Sequence, residues 1–319
     1  MPTAFHHDPE LKARLCARTL TAWQDGKLLP IGNLTWLPEQ DHRGLMASLA
    51  ETGEPEVFTA TTGLPVSPCL VFEYLIAESG IVARVEVGTS MSRNVYQCSD
   101  TTRAWPQRWL EAIRPGAELS SVLPRFTLEL MTHLLGPNSV WSSDIDGTSR
   151  AAAQEVLSLW TRELAGETVD AKTWNAARKS AEAAAMIASD HWGEIFVELY
   201  AQLAWPVAGL SDELPGILMP FIQYWVLRVV QPHLSDRIYN AMAAFAAGPR
   251  RRRALRADGM APDGSSFDKL DPDSHQALTF INSEEGQKLF KAGKQRAMAH
   301  AAEFLRPLLE RFVVLTTQA

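Results

Sequence analysis

The sequence predicts a mainly α protein, a multi-helix globular bundle with one small β-hairpin in its N-terminal third. Three observations carry that expectation. Apolar residues recur at three- and four-residue spacing through most of the chain, the repeat of helices with one buried face. These stretches are punctuated as helices are, with Asp or Ser before them, Pro in the first turn and Gly after the last. Alternation with period two and β-branched residues, the mark of a half-buried strand, is confined to one region near residues 70–88. Hydrophobic residues make up 46% and charged residues 21% of the chain, enough apolar surface to offset the entropy of ordering it, so a wholly disordered protein is excluded.

Taken in order, Asp8-Pro9-Glu10 supplies a cap, a proline at the first helical position and an acid in the first turn. Leu11, Leu15, Leu20 and Trp23 follow, with Gly26 at the end, which predicts a helix over about 9–24. Pro38 opens a second predicted helix with Leu45 and Leu49 on its face and Gly53 at its end, and a loop is expected over Thr59 to Pro68. Glu78-Ser79-Gly80 reads as a turn, and Ala83, Val85 and Val87 as a strand. Leu70 to Ile76 is the preferred antiparallel mate, with a short helix capped by Ser67 as the alternative.

Helices then dominate. Trp105, Trp109 and Ile113 share a face, Leu123 to Leu135 forms the next helix, and a connector over Asn138 to Thr148 leads to a helix through Val156, Leu159 and Leu164. Asp170 caps a helix with Trp174, Ala177, Ala181 and Ala184, small residues that let a neighbouring helix come close. Trp192, Phe196, Leu199 and Leu203 make a core stripe ended by Pro206. Leu218 to Val230 and Arg237 to Ala247 are further helices. Gly248 to Gln276 reads as a long mobile excursion, followed by helices over about Gln276 to Ile281 and Ser283 to Leu315, the second open to bending at Gly286, Gly293 and Pro307. A chain of 319 residues exceeds the usual single core. Two regions are therefore expected: 1–140, carrying the hairpin near 70–88, and 149–319, a helical bundle with a mobile loop at 248–275.

Composition narrows the function classes. A net charge of −7 with a pI near 5.7 argues against broad nucleic-acid binding and disfavours anionic membranes. Leu214 to Val230, the most apolar stretch, contains Pro215, Pro220, Gln223 and Arg228 and falls short of the roughly 20 residues of a span. The first residues carry neither a basic n-region nor an apolar h-region, so no signal peptide and a cytoplasmic location are expected. Cys16, Cys69 and Cys98 are widely spaced and form no C-x-x-C pair, so they read as buried small hydrophobes. Ten tryptophans point first to a large packed core and second to a partner-binding surface.

His191, Glu194 and Glu198, beside Asp190, fall on one helical face at spacings of three and four, where imidazole and carboxylates can share a divalent metal. A bundle metal site needs ligands from several helices, and the preferred reading of this face is solvated. Asp144, Asp146 and Thr148 superficially suggest a calcium loop, but Gly147 stands at position four where the loop needs six, so turn formation and helix capping are preferred. His6 and His7 read as a disordered polar tip. Arg250, Arg251, Arg252 and Arg253 form the strongest local charge; the preferred reading of the run is a solvated loop, and the alternative is contact with phosphates or an acidic patch on a partner. No serine-hydrolase elbow, phosphate-binding loop or dinucleotide fingerprint is present, and no cofactor is expected.

The ranking that follows places first a non-enzymatic binding protein, of the kind a bacterial immunity or accessory protein would be, holding a protein partner through the arginine run. Second is an all-α metal-dependent hydrolase using His191, Glu194 and Glu198. Third is a nucleic-acid-binding protein using the basic loop. No membrane partner is expected.

Overall fold

The computed structural model describes residues 3–40, 42–79, 81–86, 92–97, 100–143, 145–188, 191–246 and 271–319. The fold is mainly α. Helix α1 spans Pro9–Gln24, with Asp8 accepting from the amides of Glu10 and Leu11 and Gly26 in the left-handed region just beyond it. A two-residue antiparallel pair, β1 (Trp36–Leu37) with β2 (His42–Arg43), comes next. Then follow α2 (Pro55–Thr62), α3 (Val66–Ser79), the hairpin β3 (Ile81–Glu86) and β4 (Ser92–Gln97), α4 (Asp100–Ala112), α5 (Val122–Leu135), α6 (Gly147–Leu164), α7 (Ala171–Ile187), α8 (His191–Leu203), the short α9 (Val207–Leu210), α10 (Leu214–Val230), α11 (Asp236–Ala246), α12 (Pro272–Asn282) and α13 (Glu284–Gln318).

Several expectations are corrected. The strand near 83–87 exists as β3, but its mate is β4, in register from Ile81↔Gln97 to Glu86↔Ser92. Residues 70–76 belong instead to α3, the alternative reading of that segment. Helix α3 buries Cys69, Val71, Phe72, Glu73, Leu75, Ile76 and Ala77, so it is apolar nearly all round and carries no face-to-face contrast from which a helical period can be read. The loop expected over 59–68 is mostly helix: α2 runs to Thr62 and ends on Gly63 at φ +67°. The helix expected from Pro38 to Gly53 is absent; two 3-10 turns, Pro38–Gln40 and Ala47–Leu49, flank β2. The physical reason lies in α3. Glu73 is fully buried, and its carboxylate accepts from the amides of Ile31 (2.9 Å), Leu45 (3.0 Å) and Met46 (3.0 Å). Amides committed to a carboxylate are not available to an i−4 carbonyl.

The N-terminal tip is docked. Ala4 donates its amide to the Ala117 carbonyl at 2.9 Å and accepts from the Gly116 amide at 2.6 Å, Phe5 is buried, and the His6 ring meets the Ala60 carbonyl at 2.9 Å. Phe5, His6 and His7 all hold positive φ, a costly run for residues with a Cβ. The strap fits because Gly63 and Gly116, both at positive φ, lack the Cβ that would collide with the Thr3 carbonyl and the His7 ring.

Helix α12 starts at Pro272, earlier than expected, because the Asp271 carboxylate accepts from the Ser274 amide and caps it. The rest of the expected excursion, residues 247–270, lies outside the described residues. Helix α13 runs unbroken for 35 residues despite Pro307. Its last turns close on the N-terminal helices. Phe312 lies between Phe72 (5.5 Å between centroids) and Phe126 (5.0 Å), Trp109 stacks on Phe72 at 4.6 Å, and the Trp109 indole donates to the Thr316 hydroxyl at 3.0 Å. Arg108 pairs with Glu310 through two bonds, and Arg311 with Glu129. One apolar cluster thus extends from Ala4 to Leu315, across the connector near residue 140, where Trp141 packs against Trp192, Phe196 and Phe221. Among the described residues no single helix is long and apolar enough to cross a membrane; α2 and α3 together reach that length but meet at 99°.

Burial pushes the Glu73 carboxyl up to about 7, against the backbone amides of Ile31, Met46, Leu45 and Gly32 that favour the ion. A raised folded-state value means that the stability this group contributes is fully present below its ordinary value of 4.5 and is lost as the pH rises through about 7. Urea denaturation should show stability falling between about pH 5 and 8, with the slope reduced in Glu73→Gln. That variant should also be less stable at the acid end, since its amide group opposes a backbone N–H. A second measurement concerns the closure of α13. Thr316→Val removes the acceptor of the buried Trp109 N–H and should cost about 1–3 kcal/mol by the same method.

Candidate functional site

Arg250, Arg251, Arg252 and Arg253 lie outside the described residues, as do Asp144, Asp190 and Cys98. His191 opens α8, but its side chain is also outside them. Glu194 is buried at 6% exposure and Glu198 is half-buried, which corrects the expectation of a solvated face. Helix α8 is packed by α6, α7 and α10, which close over Glu194 and leave Glu198 partly accessible. Among the described residues no group of three His, Cys, Asp or Glu side chains is placed to share a metal ion. Asp146 caps α6, accepting from the Ser149 amide at 2.7 Å, in line with the capping reading. Cys16 and Cys69 are buried free thiols; burial lifts Cys16 to about 11 and Cys69 still further, the Glu73 charge adding to the latter.

The structure brings forward a different place, the turn between α8 and α9. Trp205 stands there 47% exposed. All ten tryptophans are described, and Trp205 alone among them is exposed; Trp36 and Trp192 are half-buried and the others buried. Two buried indoles hold the turn that presents it. Trp160 on α6 donates to the Leu203 carbonyl at 2.7 Å, satisfying an end of α8. Trp174 on α7 donates to one oxygen of Glu163 at 2.9 Å, and the other oxygen accepts the Val207 amide at 2.8 Å, anchoring the start of α9. These bonds clamp the chain on both sides of Trp205-Pro206. The small residues Ala177, Ala181 and Ala184 on α7 are buried, and α7 packs against both α6 and α8.

The indole itself is propped. The Arg178 guanidinium lies over the Trp205 ring, 3.9 Å from its centroid. It is held there by a hydrogen bond to Asn175 and by Glu182 at 3.9 Å. Beside the ring opens a hollow of about 460 Å³. Pro206, Leu210 and Ile217 line it with Trp205, Gln202 and Glu213 supply its polar groups, and Gly209 adds no side chain to fill it. A second hollow, about 360 Å³, lies between α5, α6 and the end of α13, lined by Arg125, Thr161 and Gln318 and by the Arg311–Glu129 pair. That pair ties α13 to α5.

The sequence places the tryptophans first in the core and second on a partner-binding surface, and does not single out Trp205 as the exposed one. A signal was present: the apolar stripe of α8 ends at Leu203, and Trp205 follows out of register, immediately before a proline. Arg178, on a helix otherwise read for its alanines, carried no signal at all.

The thiols give a direct check on packing. In a Cys98→Ser variant at about pH 8, a thiol reagent should label neither Cys16 nor Cys69 in the folded protein and both after unfolding in urea, since only the thiolate reacts. Rapid labelling of the folded chain would contradict the burial described here. Set against known proteins, the chain matches no family model, no curated protein and no solved structure.

Proposed function

We propose that this chain is a non-enzymatic binding protein whose protein partner docks on the Trp205 surface. The carrying observation is an exposed indole, clamped through its backbone and propped by an arginine, beside a hollow with apolar walls. Trp and Arg are the residue types that most often dominate the energy of protein–protein contacts. An indole already held in place loses little freedom when a partner covers it, which preserves binding energy that a mobile side chain would forfeit. The neighbouring hollow adds the concavity that lets a partner's side chain exclude water around the ring.

This reading moves the partner-binding role from Arg250–Arg253, on which the sequence placed it, to Trp205 and Arg178. The test is co-purification of a tagged chain from its native host at physiological salt, with mass spectrometry of what stays bound. Trp205→Ala should weaken retention by at least about tenfold, the effect of losing a residue worth 1.4 kcal/mol or more. Arg178→Ala should weaken it less, and both variants should keep the wild-type circular dichroism. A partner retained equally by wild type and Trp205→Ala would overturn the proposal.

A further inference from the structure

We infer that the hollow beside Trp205 receives a basic side chain, lysine or arginine, of the docking protein; this rests on the docking reading above. The hollow is amphipathic in the sense such a side chain requires. Trp205, Pro206, Leu210 and Ile217 offer apolar wall to a methylene stem, and Glu213 offers a carboxylate to the charged head. Glu213 is the one charged group lining it, and Asp212 stands exposed next to it in the chain. Glu213 forms no ion pair among the described residues. The Gln202 amide adds a further oxygen that an ammonium or guanidinium can use.

The ring has already shown the preference. The chain lays one of its own guanidinium groups on this indole, at 3.9 Å, and the charge of that group is balanced by Glu182 at 3.9 Å. A partner's carboxylate would meet Glu213 and Asp212, while the nearby Arg178 guanidinium on the ring already faces Glu182. A phosphate would meet the same repulsion. An uncharged aliphatic side chain would fill the walls but leave Glu213 desolvated without a partner.

The experiment uses the full chain labelled with 5-fluorotryptophan, with the Trp205 signal assigned from Trp205→Phe. It is titrated separately with the N-acetyl methylamides of arginine, lysine, norleucine and glutamate. The Trp205 signal should shift saturably with arginine and lysine, the shift should weaken as salt is raised, and Glu213→Gln should reduce affinity about tenfold. Equal binding of norleucine, binding of glutamate, no saturable shift with either cation, or an unchanged Glu213→Gln would each overturn the inference. Glu213→Lys in the co-purification separates the two proposals. If Trp205→Ala loses the partner and Glu213→Lys keeps it, docking stands and the basic side chain falls. If Trp205→Ala keeps the partner, docking itself falls.

Discussion

The architecture turns on the enclosure of helix α3. It is packed by α2, α4, α5, α10 and α13, and two adjacent residues on it organise opposite parts of the chain. Glu73 turns its carboxylate to the irregular segment 31–46 and accepts the amides that would otherwise be buried without partners. Phe72 packs against Trp109 and Phe312, and so receives the last turns of α13. A buried carboxyl group is tolerated only where its oxygens are hydrogen-bonded, and a non-helical segment is tolerated in a core only where its amides find acceptors. Each condition here is met by the other. The segment and the carboxylate therefore form one unit, and neither keeps its conformation alone.

The same rule, that buried polar groups must be satisfied, builds the Trp205 surface. Trp160 and Trp174 are buried for their apolar area, yet each carries an N–H that needs an acceptor. One finds the end carbonyl of α8 and the other finds Glu163, whose second oxygen takes the first amide of α9. Satisfying two core indoles thus fixes the backbone on both sides of Trp205. The exposed ring is presented by hydrogen-bonded neighbours, and Arg178 lies over it from α7. A propped indole beside a hollow with one carboxylate in its lining is a coherent surface because it comes from helices that pack for their own reasons.

Legibility followed local physics. Helices with one apolar face and clear end signals are readable nearly residue for residue: α1 from Asp8-Pro9 to Gly26, α5 to its stop at Gly136, and α7 from Asp170. The segments that misled were those whose conformation answers to distant groups. Residues 38–53 look helical because their own spacing is helical, but Leu45 and Met46 donate to Glu73 nearly thirty residues away. Residues 70–76 look like a strand because burial on all sides erases the helical contrast. The docked strap at residues 4–7 depends on Gly63 and Gly116, neither of which is near it in the chain. Glu194 looked solvated because its helix has an apolar stripe on the other side, and packing by three helices buried it all the same.

By itself the sequence determined the helical class, most helix ends and the general burial of tryptophan, because capping, proline geometry and apolar periodicity act within a few residues. Only the tertiary structure decided which indole stays outside, which carboxylate goes in, and where an arginine meets a ring. Those outcomes depend on which distant groups satisfy one another's hydrogen bonds and fill one another's space, and Trp205, Glu73 and Arg178 look like ordinary members of their residue types until the helices around them are in place.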